Sequence, residues 1–442
     1  MIAKTGQIKH LQKFTDGTNT MLTVKGEQPD YVYLAVQNAR CPQAEVYCKE
    51  GDHVKIGTVL GLRHGPFFDQ PIHSSVSGEV VGTVKKFHRS GKLVDFIQIK
   101  NDKKDEFDES IKERTPDEIK ALTKDDFVEI LKNCALVGLG GSSFPTYIKF
   151  QTNDPIDTIL INGIECEPYI SADHRMMLEH SDMIMEGITY VLHAFNAKRA
   201  YVCVKKKYQD LADTLNSELS RFRNYPIEVK RVGNFYPQGW EIALIKSALG
   251  IQVPSGVLPS KYGVLVLNVS TVVGLWRAIR WNMPVYERYF TLTGDGINIP
   301  TNFRVRVGTS LKELIDQCGG YKGDEDKYLI LGGPMMGANL VRDDAVVTKT
   351  CTSCIVLNAH NEKEEPCVRC GSCVYSCPAG LQPVQIMNAV KNGDKESLFY
   401  KLNIRSCILC GMCSYTCTSK IPLTDYCRKA KTMIGGMKKK WN

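Results

Sequence analysis

The order of apolar and polar positions divides the chain into stretches of different period. From about 31 to 100, short alternating runs at 31–36, 45–47, 76–81 and 94–99 are broken by EGDHVKIG (50–57) and SVSGEVVG (75–82). Period-two alternation between glycine turns predicts a compact β module. The segment NDKKDEFDESIKERTPDE (101–118) is strongly charged and has no apolar period, which predicts a linker or an exposed helix start. Beyond it, continuous apolar runs at 158–161, 200–204, 227–231 and 264–268 alternate with helical patterns at 127–134, 176–195 and 240–249. That alternation predicts an α/β layer structure with ligand loops at the strand ends. Between about 284 and 345 the pattern shrinks to a strand (289–293), the turn GDG (294–296), a strand (303–307) and a helix (310–317). This reads as a small α+β module.

Composition narrows the class. The 442 residues are about three domains' worth, 43% hydrophobic and 24% charged, as in ordinary soluble globular protein. A net charge of +8, spread along the chain, is too mild to argue for nucleic acid. The opening residues lack a signal-peptide core, and no run approaches the ~20 apolar residues of a membrane helix. The expectation is a cytoplasmic multidomain protein without an integral membrane segment.

Cysteine placement is more informative. Of 17 cysteines, six lie before position 350 and eleven fall between positions 351 and 427. CVRCGSCVYSC (367–377) and CILCGMCSYTC (407–417) lie 40 residues apart and share six of eleven positions. Each is a C-x2-C-x2-C-x3-C run, which supplies three thiolates to one [4Fe–4S] cluster and the fourth to its neighbour. One cluster should take Cys367, Cys370, Cys373 and Cys417; the other should take Cys407, Cys410, Cys413 and Cys377. Structural zinc, which favours separated CxxC knuckles, is the weaker alternative.

A second signal is the cluster Gly138, Gly140 and Gly141 in VGLGGSSFPTYIKF (137–150), followed by Lys149. Such glycines let backbone N–H groups approach a phosphate, although a bare cluster is more often only a turn. Glu165 and Glu167 follow a strand, where two carboxylates could meet a nicotinamide or ribose.

GLGGSSFPT (138–146), INGIECEPYISADHRMMLE (161–179), YPQGWEIALIKSALG (236–250), VPSGVLP (253–259), LVLNVSTV (265–272), GGPMMG (332–337) and both cysteine runs are similar to the C-subunit family of the Rnf electron-transport complex. They resemble more distantly the NADH-oxidising flavoprotein of respiratory complex I. The resemblance implies four units: an N-terminal hybrid-barrel β module (1–110), an α/β FMN and NADH domain (111–283), a β-grasp-like module (284–345) and a helical two-cluster ferredoxin-like domain (346–442). It further implies FMN held by Gly138, Gly140, Gly141, Phe144, Lys149, Asn162, Glu165, Glu167, Asn268 and Thr271, with Glu165 also serving hydride transfer from NADH. The hybrid-barrel fold also carries biotin or lipoate elsewhere, but no lysine occupies the turn here. Ser142-Ser143 stands where the family usually has Ala-Gly, and serine at positive φ costs more than glycine.

The reading is an electron-transfer flavo-iron–sulfur protein. Electrons from NADH would pass through FMN and two [4Fe–4S] clusters to a redox partner. That partner would be a reductase or Rnf subunits, with peripheral membrane association. The alternatives are the Rnf membrane-complex subunit itself and an iron–sulfur adaptor with a vestigial flavin site. Cys351 and Cys354, the CTSC pair, are surplus to the clusters. The layout also resembles a branch of the family associated with proline reductase, which implies a dithiol relay at this pair.

Overall fold

The computed structural model describes residues 14, 15, 17–88, 90–359 and 363–437. The opening segment before position 14 and the last five residues of the basic tail lie outside the described residues.

The N-terminal β module is two facing sheets. One orders Tyr31–Ala35, Leu93–Asn101, Gly78–Phe87 and His53–Val54; the other orders Gln43–Val46, Val59–His64 and Asp69–His73. The alternation of Val32, Leu34, Val80, Ile97 and Ile99 fills the space between them. The turn that would carry a biotinyl lysine in such folds is buried: Ser74, Ser75 and Ser77 are enclosed, and Ser75 Oγ donates to the Val307 carbonyl at 2.5 Å. It is a packing surface. The charged segment ends in a helix, Pro116–Ala121, capped by a reciprocal Thr115–Glu118 box; Thr123 and Asp126 repeat the device for Lys124–Asn133.

The α/β unit is a four-stranded parallel sheet in the order Ile227–Val232, Arg199–Lys205, Thr158–Asn162, Val264–Asn268. The two apolar runs TILIN and VLVLN are buried on both faces, as parallel strands require. The continuous helical pattern expected at 176–195 is broken at His180 into Ala172–Glu179 and Ser181–Phe195. Helices Ser181–Phe195 and Val269–Trp281 cover one face, each enclosed Ile, Val or Leu contributing about 1.5–3 kcal/mol. The chain leaves Thr158–Asn162 toward one side and returns at Val264–Asn268 on the other, so a switch point lies between them.

The third sheet has six strands, ordered Val24–Lys25, Thr301–Arg306, Glu287–Thr293, Ser353–Asn358, Lys327–Leu331, Ala338–Leu340. Here the structure departs from the sequence reading. Residues 353–358, assigned above to the start of the cluster unit, form a central strand of this module, parallel to Glu287–Thr293 and antiparallel to Lys327–Leu331. Its Ser-Cys-Ile-Val core is fully buried, so burial outweighed the proximity in sequence to the cysteine runs. The C-terminal unit packs short helices Ser372–Tyr375 and Met412–Tyr415 with Pro383–Lys391 and Leu423–Met433. Among the described residues no helix is long and apolar enough to cross a membrane.

Candidate functional site

The C-terminal ends of two adjacent parallel strands place Asn162 and Asn268 side by side in register. Asn268 caps the following helix, its Oδ1 accepting from Ser270 N–H (3.0 Å) and Thr271 N–H (3.4 Å). Thr271 Oγ1 accepts from Leu139 N–H at 2.9 Å and so pins the glycine loop above the switch point. The loop comes so close that a Cβ on Gly140 would lie 2.7 Å from Asn268 Cγ. Ser143 takes φ +53, so the left-handed geometry expected to strain the Ser-Ser departure is present.

A cavity of about 490 Å³ opens between this loop, the strand ends and the six-stranded module. All ten residues expected to hold a flavin line it: Gly138, Gly140, Gly141, Phe144, Lys149, Asn162, Glu165, Glu167, Asn268 and Thr271. Its size is that of a cofactor pocket. The detail differs from a simple cradle. Lys149 Nζ donates to Glu241 Oε1 (3.0 Å) and to the Val266 carbonyl (2.9 Å), so its charge is already paired. Glu165, at φ +33, accepts from Asp173 N–H at 2.8 Å.

Asp173 is the residue that sequence reasoning passed over. It is buried at the pocket floor, accepting from Ser270 Oγ (2.5 Å) and Asn268 Nδ2 (2.6 Å). Burial, with Glu165 adding repulsion, raises its carboxyl to about 6. The same motif's His174 and Arg175 are structural: His174 Nε2 meets Asp210 Oδ2 at 2.9 Å, and Arg175 pairs with Glu179 at 2.6 Å. Also unforeseen were Arg288, which donates to the Leu139 carbonyl at 3.0 Å, and Arg40, which donates to the Ser142 carbonyl at 2.9 Å. Both reach the glycine loop from other modules, a relation no local pattern encodes.

Glu167 links the pocket to the cysteine-rich unit. Its carboxylate accepts from Met335 N–H (3.1 Å) in the GGPMMG turn and faces the Tyr236 hydroxyl at 3.5 Å. Burial pushes its carboxyl up to about 7. Tyr236 Oη donates at 2.9 Å to the carbonyl of Cys410, and Ile408 of the same run lines the pocket. Gly411, at φ +80, lies against Met335, where a Cβ would sit 2.6 Å from the carbonyl oxygen. The second cysteine run therefore abuts the wall of the large cavity.

The two runs share one backbone path: Arg369 and Leu409 at φ +58 and +55, Gly371 and Gly411 at +79 and +80. In each, the first thiol accepts an N–H two residues on, Arg369 to Cys367 and Leu409 to Cys407, both at 3.4 Å. Such N–H···S bonds suit cluster thiolates. Cys377 of the first run joins Cys407, Cys410 and Cys413 around one small cavity, the grouping that crossed ligation requires; Cys427 lines it as well. Among the described residues no three Cys, His, Asp or Glu converge as a single-ion site requires. The first run faces outward: Cys370 is exposed, as are Val368 and Tyr375 beside it.

The CTSC pair does not have the environment of a dithiol relay. Cys351 and Cys354 are both buried, and burial pushes the Cys354 thiol well above its ordinary range. Exchange with a partner needs an exposed, ionisable thiol. Cys354 instead packs in the core of the six-stranded module. Cys351 lies in the wall of the large cavity, its thiol 3.0 Å from Thr348 Oγ1.

Comparison with known proteins agrees unit by unit. Residues 7–104 match the RnfC barrel sandwich hybrid domain, 131–277 the Nuo51 FMN-binding domain, 289–339 the SLBB domain and 366–422 the 4Fe-4S dicluster domain. A flavin domain joined to a two-cluster domain defines a flavo-iron–sulfur electron-transfer protein. The chain is 33% identical over 369 residues to the C subunit of the Na(+)-translocating ferredoxin:NAD(+) oxidoreductase complex from Acetobacterium woodii, covering 82% of this chain and 81% of that one. It is 34% identical over 361 residues to the C subunit of the proton-translocating ferredoxin:NAD(+) oxidoreductase complex from Clostridium ljungdahlii, covering 80% and 77%. The chain belongs to the RnfC family. An NAD+-reducing [NiFe]-hydrogenase in the H2-reduced state shares the fold, with a TM-score of 0.51 at 15% identity over 72% of this chain and 61% of that one.

Proposed function

We propose that this chain takes electrons from NADH at the flavin pocket and delivers them singly to a partner protein docked beside the first cysteine run. FMN, when bound, would supply two-electron hydride acceptance, and the [4Fe–4S] clusters held by the two cysteine runs would each supply a one-electron carrier, so that a pair could leave as single electrons. The protein's own part is positioning. Asn268, Thr271 and the glycine loop shape the pocket floor, Glu165 presents a carboxylate to the nicotinamide side, and Glu167 with Tyr236 closes the wall toward Cys410. The observation that carries the reading is the hydrogen bond to the backbone of Cys410 from Tyr236, which stands behind the cavity-lining Glu167 and Pro237.

The site of Cys407, Cys410, Cys413 and Cys377 is then proximal to flavin, and that of Cys367, Cys370, Cys373 and Cys417 is distal. Exposed Val368, Val374 and Tyr375 give the distal side an apolar docking rim. The relatives' names pair NAD+ with ferredoxin within ion-translocating complexes, which favours membrane-bound Rnf subunits as partners and peripheral association at the inner membrane face. A partner reductase such as proline reductase is the second reading; with both CTSC thiols buried, it would take electrons directly from the clusters. Anaerobic purification followed by NADH titration tests the whole: flavin and cluster absorbance should bleach in turn. Protein that holds no FMN and passes no electrons to a dye would instead be an iron–sulfur adaptor.

A further inference from the structure

The 40-residue repeat of the cysteine runs continues into the helices behind them. At that offset Val384, Met387 and Lys391 of Pro383–Lys391 correspond to Thr424, Cys427 and Lys431 of Leu423–Met433. Steps of three and four residues place each trio on one helix face. In the first copy that face is apolar: Val384 and Met387 share a cluster with Cys367 and Cys373, while the Lys391 ammonium lies 5.4 Å from the Tyr426 ring centre. Hydroxyl contact there comes from within the run itself, Ser372 Oγ lying 3.3 Å from Cys370 Sγ.

In the second copy the face is polar and meets the cysteine run. Thr424 Oγ1 lies 3.5 Å from Cys413 Sγ. Ser414 Oγ donates to Thr424 Oγ1 at 2.9 Å, which leaves the threonine's own proton for the sulfur. The Cys427 thiol hydrogen-bonds both Cys407 and Cys413. It is buried, beside the small cavity ringed by Cys377, Cys407, Cys410 and Cys413. Lys431 Nζ donates to the Cys407 carbonyl at 2.6 Å, bringing a positive charge to the same side. Under crossed ligation the four ligands are already supplied, so Cys427 is a fifth thiol with a proton to donate. Reduction gives a [4Fe–4S] cluster one more negative charge, spread onto its sulfurs. Donors to those sulfurs and a nearby cation favour the reduced form and raise the potential. We propose that Thr424, Cys427 and Lys431 hold the cluster of the second run at a higher reduction potential than its four ligands alone would set. In the proposed electron path, on which only this consequence rests, they make it the ready acceptor beside the flavin.

A reductive titration with redox mediators in place of NADH keeps the test apart from the proposed function. Electron paramagnetic resonance on the full chain with both clusters loaded should resolve two midpoints. Cys427→Ala should lower one of them by about tenfold in the reduction equilibrium, ~59 mV for one electron, and leave the other in place. Thr424→Val and Lys431→Met should lower the same midpoint. Cys427→Ser, which keeps a donor, should recover most of the loss, and iron content should stay at the wild-type level throughout. The proposal is overturned if both midpoints hold in Cys427→Ala, or if both fall equally. It also fails if Cys427→Ser is as low as Cys427→Ala, which would assign the effect to packing, or if Cys427→Ala loses iron, which would make the residue a ligand. Midpoints that shift as stated in a protein that NADH does not reduce would leave this face standing and refute the proposed function.

Discussion

At the residue scale the pocket carboxylates set the pH response. Glu167 is raised from 4.5 to about 7 and Asp173 from 3.8 to about 6, both chiefly by burial. A carboxyl whose folded value is raised binds its proton more tightly when folded. Its contribution to stability is therefore complete below the unfolded value and is lost as pH rises through the folded one. Melting temperature of the unliganded protein should fall between about pH 5 and 8. Glu167→Gln, neutral throughout, should flatten that slope; an unchanged profile would show that Glu167 is ionised in the fold. Glu165 differs, because its carboxylate faces the cavity while holding Asp173 N–H. Glu165→Gln keeps that acceptor and removes the charge. It should slow NADH oxidation by about tenfold or more while FMN content stays near wild type. Equal loss of both would make Glu165 part of the flavin cradle.

At the scale of elements, close approach governs. Gly140→Ala would drive a methyl group into Asn268, which also caps Val269–Trp281, so the loop must lift from the switch point. The expected result is FMN loss at equilibrium dialysis with the melting curve of the cluster unit retained. Crossed ligation makes another test. Cys377→Ala should empty the site of Cys407, Cys410 and Cys413, whereas Cys427→Ala, at the same cavity but outside the C-x2-C-x2-C-x3-C pattern, should keep the full iron content. Iron filling each run independently in the first variant would refute the crossing. These elements were legible because their signals are local: fixed cysteine spacing, glycines before a helix, apolar runs ending in Asn162 and Asn268. Asp173, Arg288 and Arg40 were not, since each acts on a loop distant in sequence. The CTSC pair misled for the same reason. Its spacing suggested redox exchange, but its place is decided by long-range pairing with Glu287–Thr293 and Lys327–Leu331.

At the scale of the molecule, the proposed electron path takes its order from the contacts between units. The large cavity meets the second cysteine run at Ile408, which lines it, and at Glu167, whose carboxylate faces the Tyr236 hydroxyl that is bonded to Cys410, while Cys370 of the first run is exposed. Two variants read this order by electron paramagnetic resonance after NADH is added anaerobically. Cys370→Ser should abolish the distal cluster, leave flavin and proximal-cluster reduction at wild-type rates, and stop electron delivery to a partner. Cys407→Ser should abolish the proximal cluster, allow flavin reduction, and leave the distal cluster oxidised on the same timescale, because its route from the flavin has been cut. A distal cluster that fills at the wild-type rate in Cys407→Ser would mean that electrons reach it directly. The Tyr236–Cys410 contact would then be a structural seam between units, with no part in the path.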